Sequence, residues 1–514
     1  MKLIFETKKA RFGVEFLRKT RFAFVLCVAA ILLSLALPVE SDAAQAIVRR
    51  DAFLSQLLSA RGFETQNKAS ANALFILKSG IVTDTVDKLE QAVTRQDALR
   101  WMIQALGLSE EAKILSNPSV NSSSLKLPFN DVKPLSDFER GCLLVATLMK
   151  PPLFKNSAAV FGHSHKISPD EAKVLISNVR RASEAMKLEL SFPIASGMNM
   201  EIYREGTFSG IPKWRVYVDG FDEREEVISL QKHFASKGFK MKESNPNYEW
   251  RLGSELFEDY ADAKRVAAIA KSKGKSSRIF ASLMNENLEN QPFYWALLTI
   301  DPARFVMEPI MPIEGISVLS PLSVISKGAG VSAAINAGFF ALTARNRGYP
   351  IGILKRYDLL LSKPYAGRTC LGWRQDNRAM FGKPDVYENN SQPWWNDMEN
   401  VIQAGPYLIH NGEIGIEPEG YDKSILNLRH PRTAVGLTKS GQWAFFVGDG
   451  RDSMHSAGYT LLEMAVILKR KGLAYALNLD GGGSSEILVN GRLFNAPSEK
   501  RERPVSYGIG VKVR

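Results

Sequence analysis

The stretch Ala476-Leu477-Asn478-Leu479-Asp480-Gly481-Gly482-Gly483-Ser484-Ser485 decides how the C-terminal half of this chain is interpreted. An apolar run brings the amide of Asn478 and the carboxylate of Asp480 to its end, and three consecutive glycines follow. Glycine accepts positive φ angles and lets the backbone approach a ligand closely, which a Cβ would obstruct. A second apolar run, Ile487–Val489, ends at the turn dipeptide Asn490-Gly491. The pattern predicts strand, glycine loop and strand, with an acid, an amide and two hydroxyls at the bend; a flexible glycine turn is the alternative.

Composition excludes several classes of protein. The chain has 514 residues, enough for several domains, and its 45% hydrophobic and 23% charged residues are typical of globular proteins. The net charge of +12 suits an anionic polymer or an acidic membrane surface. No dense Lys/Arg run with interleaved aromatic residues occurs, so nucleic acid is not expected as a partner. The contiguous glycines lead into a strand, unlike those of a nucleotide-binding loop.

The N-terminal sequence indicates export. A basic segment precedes an almost wholly apolar run at residues 22–37, and Ala44-Gln45-Ala46 supplies a cleavage pattern after it. Because this run is shorter than the roughly 20 residues of a membrane span, we expect a signal peptide in residues 1–46. An uncleaved inner-membrane anchor is the alternative, and it would be the chain's sole contact with membrane. The expected location is the periplasm or cell envelope. Cys142 and Cys370 are then expected as free, buried thiols in different domains.

Three segments near the N-terminus begin helices in a similar way. Thr94 and Ser168 stand at N-cap positions, Asp97 stands at a third helical position, and Glu171 is expected to complete a capping box. Such self-similarity predicts a helical repeat array. The pattern over residues 47–187 resembles the surface-layer homology family, which implies binding of cell-wall or envelope polysaccharide. A small helical domain with good caps is the alternative. The segments are Val48-Arg49-Arg50-Asp51-Ala52, Val93-Thr94-Arg95-Gln96-Asp97-Ala98 and Ile167-Ser168-Pro169-Asp170-Glu171-Ala172.

The middle of the chain alternates strands with helices. The β-α-β-α-β order predicts a small α+β module with its helices on one face of the sheet. Residues 212–285 resemble the SPOR family, in which an aromatic strand with Arg-Val-x-Val opens each half. The resemblance implies peptidoglycan as a partner; a structural spacer is the alternative. The predicted strands are residues 214–221, 248–252 and 277–281, and the predicted helices are residues 225–237 and 260–273.

From residue 292 onward, glycine, proline and aromatic residues are frequent and the predicted strands are short. Several separated motifs occur there: Asn336-Ala337-Gly338-Phe339-Phe340, Gln403-Ala404-Gly405-Pro406, Arg432-Thr433-Ala434-Val435-Gly436, Gly448-Asp449-Gly450-Arg451 and Arg503-Pro504-Val505. Together with the glycine loop, and in this order, they resemble the phosphodiester glycosidase (NAGPA) family over residues 292–514. The resemblance implies hydrolysis at the anomeric carbon of a sugar linked through phosphate to another group. An N-acetylglucosamine-1-phosphodiester-like linkage in a cell-surface glycan or exopolysaccharide is the expected substrate.

The predicted fold class follows from these segments. We expect a multi-domain α+β protein with a helical repeat-like N-terminal region and a small SPOR-like module. A C-terminal mixed α/β catalytic domain rich in short strands would complete the chain.

Hydrolysis of a sugar phosphodiester needs cations for the phosphate and carboxylates for the sugar. Guanidinium groups complement the phosphodiester charge, and carboxylates stabilise the oxocarbenium-like state and deliver water in most glycosidases. Asp480 is the first candidate for catalysis and Asp449 the second, followed by Glu463 and His455. For Glu463, a capping box with Thr460 is the stronger interpretation. The candidate phosphate ligands are Arg432, Arg451 and Arg503.

The remaining candidates would contact the substrate. The amides could hydrogen-bond sugar hydroxyls or hold the carboxylates, the hydroxyls could donate to phosphate, and the glycines would give access. Aromatic residues could stack on a sugar ring, although core packing is their commoner role. The amides, hydroxyls and glycines are Asn336, Asn478, Ser484, Ser485, Gly481, Gly482 and Gly483, and the aromatic residues are Phe339, Phe340 and Trp373.

Two questions stay open in the sequence. No His-x-x-x-His pair indicates zinc, but Asp449 and Asp480 could hold a divalent cation such as calcium. No other cofactor is expected. The competing function is that of a non-catalytic envelope protein that binds glycan or peptidoglycan.

Overall fold

The computed structural model describes residues 47–514, apart from residues 86, 118–124, 155–158, 247–248, 285–290, 344, 377, 386 and 389–391. The predicted signal segment, residues 1–46, lies outside the described residues. In the part of the chain that is described, no helix is both long and apolar enough to cross a membrane. Val48–Arg514 forms one compact unit, whose largest buried apolar cluster extends from the N-terminal helices to the last strand.

The N-terminal region is helical, and its three similar segments meet at one point. The amide of Val48 donates to the carbonyl of Ile167 at 3.2 Å, and the amide of Ile167 donates to the carbonyl of Val93 at 2.9 Å. The amide of Val93 donates to the carbonyl of Val48 at 2.9 Å, which closes a ring of three hydrogen bonds. The segments therefore occupy equivalent positions around a common centre. The helices are α1 (Arg50–Ala60), α2 (Ala69–Lys78), α3 (Arg95–Ala105), α4 (Ser109–Leu115), α5 (Asp137–Leu148) and α6 (Pro169–Ala185).

The predicted helix caps are present with one exception. Thr94 and Asp97 form a capping box at the start of α3, and Ser168 accepts a hydrogen bond from the Glu171 amide at the start of α6. The Glu171 carboxylate does not complete a second box, so that prediction is wrong. Its Oε1 accepts from Nε of Arg95 at 2.6 Å instead, because a guanidinium makes a stronger, charge-assisted bond than a backbone amide.

A hairpin joins the helical region to the largest sheet. Strand β1 (Lys187–Ala195) pairs with β2 (Met198–Glu205), and β2 pairs along its whole length with β7 (Phe293–Ile300). Residues 188–205, which no sequence motif assigned to a domain, therefore belong to the sheet that carries the candidate site. This sheet is antiparallel, with strand order β1-β2-β7-β20-β19-β21-β17-β18. Its other strands are β17 (Tyr407–His410), β18 (Glu413–Ile414), β19 (Arg432–Thr438), β20 (Trp443–Gly448) and β21 (Leu473–Asn478).

The segment whose sequence resembles the SPOR family is inserted between β2 and β7. It forms a four-stranded antiparallel sheet of order β4-β5-β3-β6 with its own buried apolar cluster. The predicted order of strands and helices is confirmed, with one additional short strand after the first helix. The elements are β3 (Ile211–Phe221), α7 (Arg224–Ser236), β4 (Met241–Ser244), β5 (Trp250–Ser254), α8 (Tyr260–Ser272) and β6 (Ser276–Met284).

A second antiparallel sheet lies on the other side of the glycine loop. It has the order β23-β22-β9-β24-β8, and Ile335 of β9 pairs with Ile487 of β22. Asn490 and Gly491 both have positive φ angles, as the tight turn between β22 and β23 requires. The strands are β8 (Phe305–Ile310), β9 (Ala333–Asn336), β22 (Ile487–Val489), β23 (Arg492–Leu493) and β24 (Gly508–Val513).

A third antiparallel sheet and three helices complete the C-terminal part. The sheet has the order β11-β10-β16-β12-β13. Its strands are β10 (Leu354–Arg356), β11 (Leu359–Ser362), β12 (Cys370–Trp373), β13 (Ala379–Gly382) and β16 (Asn400–Gln403), and a small hairpin joins β14 (Tyr387–Glu388) to β15 (Gln392–Pro393). The helices are α9 (Leu322–Ala329), α10 (Lys423–Asn427) and α11 (Leu461–Arg470).

Both cysteines of the described chain are buried and free, as predicted, and both lie in the compact unit Val48–Arg514. Cys142 lies in α5 and Cys370 in β12. Burial raises the pKa of both thiols, so neither is a reactive thiolate at neutral pH.

Candidate active site

The glycine loop forms one wall of a cleft. Strand β21 ends at Asn478, the chain makes a 3₁₀ turn at Gly482–Ser484, and β22 then enters the second sheet. A cleft of about 290 Å³ lies at this turn. Because the loop connects two sheets, it is fixed at both ends. The predicted site residues that line the cleft are Arg432, Arg451, Asn478, Asp480, Gly481, Gly482 and Arg503.

The three glycines meet different requirements. Gly482 alone among them has a positive φ, of +62°. A Cβ on Gly481 would lie 2.7 Å from the carbonyl oxygen of Pro431, and a Cβ on Gly483 would collide with the Arg503 guanidinium. Positive φ is therefore needed at one position. At the other two, glycine allows the protein's own groups to approach the loop.

Asp480 is the one carboxylate among the described residues that line the cleft, and its side chain is partly exposed. Its amide donates to the carbonyl of Ala337 at 2.9 Å, and its carbonyl accepts from Nδ2 of Asn336 at 2.7 Å. Burial raises the pKa of Asp480 to about 6, against the opposing effects of the Ser484 hydroxyl and the Arg503 guanidinium. A carboxyl group with this pKa can exchange a proton near neutral pH.

Arg451 is exposed and is held by a histidine. Its Nη2 donates to Nδ1 of His430 at 3.1 Å, and its backbone has a φ of +61°. A positive φ in a residue with a Cβ is strained, and such strain is found where the surrounding structure fixes a functional side chain. The local fold therefore fixes the direction in which Arg451 leaves the backbone.

The guanidinium groups of the other two arginines of the cleft, Arg432 and Arg503, are bound by other groups of the protein. Arg503 forms an ion pair with Glu499. Arg432 is buried, and its Nε and Nη2 donate to the carbonyls of Tyr459, Ile425 and Leu428 at 2.7–2.8 Å. Burial and the charge of Arg451 lower the pKa of Arg432 to about 10, so its guanidinium is still charged at neutral pH. Arg432 thus lines the cleft and also holds the segment that contains α10.

His430 lines the cleft but is not among the residues predicted from the sequence. Its Nδ1 accepts from Arg451, and its Nε2 lies 3.2 Å from the carbonyl of Ser424, which requires the tautomer protonated on Nε2. Burial, with the charges of Arg451 and Arg432, lowers the pKa of His430. The ring is therefore neutral at neutral pH and orients Arg451. The sequence offered one sign of this role, because His430 stands two residues before Arg432, a predicted phosphate ligand.

Asp449 and His455 lie together, but neither is among the residues that line the cleft. Nε2 of His455 is 2.8 Å from Oδ2 of Asp449, and Nδ1 is 3.0 Å from Oε1 of Glu111 in α4. Asp449 also accepts from Nδ2 of Asn495 at 2.9 Å and from the amide of Ala496 at 2.8 Å. Burial opposes protonation, but the charges of Glu111 and Asp449 raise the pKa of His455 to about 10. His455 is therefore a buried cation in an internal network.

Glu463 and Asn336 are not among the residues that line the cleft, and their side chains bind other groups of the protein. Glu463 forms the expected capping box with Thr460 at the start of α11 and pairs with Arg429. Oδ1 of Asn336 accepts from the Thr433 hydroxyl and the Glu486 amide, each at 3.0 Å, while its Nδ2 binds the Asp480 carbonyl. Asn336, at the end of β9, thus binds Thr433 of β19 in the other sheet and both sides of the glycine loop, at Asp480 and Glu486.

Three buried polar atoms of the loop region have no hydrogen-bond partner among the described residues: Oδ1 of Asn478 and the hydroxyls of Ser484 and Ser485. Nδ2 of Asn478 donates to the carbonyl of Gly405 at 2.7 Å, but its Oδ1 is buried without a hydrogen-bond partner among the described residues. The Ser485 hydroxyl is also buried without a hydrogen-bond partner among these residues. Ser484 is also buried, and its hydroxyl lowers the pKa of Asp480. Of the predicted aromatic residues, Phe339 lines the cleft, whereas Phe340 and Trp373 pack in the core.

The described residues contain no group of three or more His, Cys, Asp or Glu side chains that could hold a metal ion. Asp449 and Asp480, the predicted ligands of a divalent cation, do not line the same cleft. Protein donors already bind both carboxylate oxygens of Asp449.

Part of the chain matches a known protein family. Residues 329–512 match the NAGPA family, described as phosphodiester glycosidase. This phosphodiester glycosidase domain includes Asp480, His430 and the three arginines of the cleft. The family match covers the loop, both strands that flank it and the second and third sheets except β8.

Two curated proteins with similar sequences are named N-acetylglucosamine-1-phosphodiester alpha-N-acetylglucosaminidase. The chain is 30% identical over 183 residues to N-acetylglucosamine-1-phosphodiester alpha-N-acetylglucosaminidase of Mus musculus, which covers 33% of this chain and 34% of that protein. It is 26% identical over 222 residues to the Homo sapiens protein of the same name, which covers 38% of this chain and 42% of that protein. The chain thus spans between a third and a half of these relatives. The matches support a phosphodiester glycosidase.

A solved structure of a protein with that name is also similar to part of the chain. The catalytic domain of zebrafish N-acetylglucosamine-1-phosphodiester alpha-N-acetylglucosaminidase aligns with a TM-score of 0.38 and 21% sequence identity. The alignment covers 44% of this chain and 80% of that chain.

Proposed function

We propose that the phosphodiester glycosidase domain hydrolyses a sugar-1-phosphodiester, of the N-acetylglucosamine-1-phosphodiester type, in a cell-surface glycan or exopolysaccharide. One observation carries this proposal: the partly exposed carboxylate of Asp480 shares a cleft with the guanidinium groups of Arg432, Arg451 and Arg503. A phosphodiester carries one negative charge, which guanidinium groups bind well. The Asp480 carboxylate then remains available to act at the anomeric carbon of the sugar.

Asp480 acts in the proposed reaction as a general base. Its carboxylate takes a proton from a water molecule as the water oxygen attacks the anomeric carbon. The bond between that carbon and the phosphate oxygen breaks, and the electron pair leaves with the phosphate monoester. Phosphate is a good leaving group, so the reaction needs no general acid, and Arg451 and Arg503 stabilise the departing charge. A single displacement by water inverts the anomeric configuration.

The N-terminal parts of the chain would hold the enzyme at its polymer. We propose that the chain is exported to the cell envelope, where the helical repeats bind polysaccharide and the SPOR-like module binds peptidoglycan. The closed ring of hydrogen bonds among Val48, Val93 and Ile167 supports the repeat interpretation. The β-α-β-β-α-β order of residues 211–284 supports the SPOR-like interpretation. The net charge of +12 favours anionic envelope polymers.

A coupled assay on the full chain tests the reaction and the bond that breaks. Cleavage of N-acetylglucosamine-1-(p-nitrophenyl) phosphate at the anomeric carbon yields p-nitrophenyl phosphate, which becomes coloured only after a phosphatase is added. Direct colour would instead indicate attack at phosphorus. Asp480→Asn should lower kcat by about 10²- to 10⁴-fold, the usual contribution of a general base. The matched control is Asp376→Asn, which removes an exposed carboxylate of the same domain that pairs with Arg378.

Each outcome has a distinct meaning. No hydrolysis of any sugar phosphodiester, together with retained binding of glycan, would overturn the enzymatic proposal in favour of a binding protein. Full activity of Asp480→Asn would overturn only the role of Asp480.

A further inference from the structure

Arg368 lies among aromatic side chains beside the cleft. Its guanidinium carbon is 4.2 Å from the ring centroid of Tyr421, 4.4 Å from that of Tyr365 and 5.8 Å from that of Phe339. Phe339 lines the cleft, and its ring lies 5.4 Å from that of Tyr421. The charge of Arg368 is therefore close to the aromatic wall of the site.

The hydrogen-bond donors of Arg368 are unused within the part of the chain that the structure describes. Its Nε is buried without a partner, and no carboxylate there pairs with the guanidinium. The carboxylate of Glu419 binds other donors instead of Arg368. It accepts from the amide and hydroxyl of Thr369 and from the amide of Tyr407. Cation–π contacts use the charge of arginine without occupying its N–H groups. Arg368 thus keeps a planar set of donors that matches a carboxylate.

A buried glutamine fixes the loop that carries Arg368. Nε2 of Gln403 donates to the carbonyls of Tyr365 and Arg368 at 2.6 and 2.8 Å, and its Oε1 accepts from the amide of Tyr365 at 2.8 Å. Gln403 is fully buried in β16. The loop is therefore ordered before a ligand binds, which lowers the entropic cost of binding.

We propose that Phe339, Tyr365, Arg368 and Tyr421 form a subsite for a sugar that carries a carboxylate, such as a uronic acid. Arg368 binds the carboxylate in two parallel hydrogen bonds, and Tyr365, whose side chain is half exposed, packs on the sugar ring. Arg451 and Arg503 bind the phosphodiester. The inference rests on the proposed function and specifies its substrate: a molecule with two negative charges.

Two substrates that differ only at the sixth carbon of the sugar test this proposal. We expect the full chain to hydrolyse glucuronic acid-1-(p-nitrophenyl) phosphate with a kcat/KM at least about tenfold above that for the glucose analogue, the usual effect of hydrogen bonds to a charged group. Arg368→Gln should abolish this preference by lowering the value for the uronate alone. Arg378→Gln, which removes an exposed arginine of the same domain, should leave both values unchanged.

Equal kcat/KM values for the two sugars, or an equal loss for both in Arg368→Gln, would overturn the subsite. If neither compound is hydrolysed, hydrolysis of N-acetylglucosamine-1-(p-nitrophenyl) phosphate decides the proposed function separately, and calorimetry decides the subsite. Tighter binding of glucuronic acid 1-phosphate than of glucose 1-phosphate, lost in Arg368→Gln, would support it, and equal affinities would overturn it.

Discussion

Nδ1 of His455, in the loop after β20, lies 3.0 Å from Oε1 of Glu111 in helix α4. Glu111 also accepts from Nε of Arg204 in β2 at 2.6 Å, and all three side chains are buried. The helical region and the phosphodiester glycosidase domain therefore share an internal charge network. The backbones of the two parts also come into contact. A Cβ on Gly107 would lie only 2.5 Å from the carbonyl oxygen of Met454.

Replacing Glu111 should destabilise the whole compact unit. Glu111→Gln keeps the shape of the side chain but leaves Arg204 and His455 with one buried anion fewer. Breaking a buried ion pair from one side costs about 3–5 kcal/mol, which urea unfolding at pH 7 would measure. Glu171→Gln, which breaks the partly exposed pair with Arg95, should cost less than about 1 kcal/mol. Similar losses in the two variants would contradict the prediction.

The same network should make stability depend on pH above neutrality. The pKa of His455 is raised to about 10 in the folded chain, whereas an unfolded histidine titrates near 6.5. The folded state therefore binds the proton more tightly, and this stabilisation is complete below about pH 6.5 and lost as the pH rises through 10. Melting temperatures measured from pH 6 to pH 10 should fall for the natural chain. The decrease should be smaller in His455→Asn, and an unchanged slope would assign the effect to other groups.

The activity should rise with pH through about 6. A general base must be ionised, and the pKa of Asp480 is about 6, so kcat/KM should fall about tenfold per pH unit well below that value. Ser484→Ala removes the hydroxyl that lowers the pKa of Asp480 and should move this limb to higher pH. Its kcat well above pH 7 should stay near that of the natural chain. A profile that falls with rising pH near 6 would indicate that Asp480 acts as an acid.

Replacing Arg451 with glutamine should mainly lower the activity, whereas replacing Arg432 with glutamine should mainly lower the stability of the fold. Arg451 is exposed to the cleft and bonds only to His430 among the described residues, so Arg451→Gln should lower kcat/KM about 10- to 100-fold with little loss of stability. Inhibition by inorganic phosphate should weaken in parallel. Arg432→Gln should destabilise the fold by about 2–4 kcal/mol, because three backbone carbonyls lose their donor. Thermal unfolding and phosphate inhibition, measured on both variants, separate the two roles.

The sequence located the glycine loop because its signals are local. Apolar runs, turn dipeptides and capping residues act within a few positions, and β21, β22 and the Thr460 cap occur where the sequence predicted them. The roles of Asp449 and His455 depend on Glu111, which lies far away in the chain and carries no local sign of that contact. Arg368 was missed for a related reason. Its aromatic neighbours come from separate segments, so the cluster exists only after folding.

The pairing of Glu205 with Phe293 has a practical consequence for the organisation of the chain. These residues lie at the two ends of the inserted segment, and directly opposite residues of antiparallel strands have Cα atoms about 5 Å apart. The segment therefore leaves and re-enters the sheet at neighbouring positions, and Trp214 and Arg278 attach it to the rest of the fold by donating to the carbonyls of Ser79 and Glu499 at 2.8 and 3.0 Å. The chain is thus one host fold with an insertion, and the parts of the sequence on either side of the insertion pair in one continuous sheet.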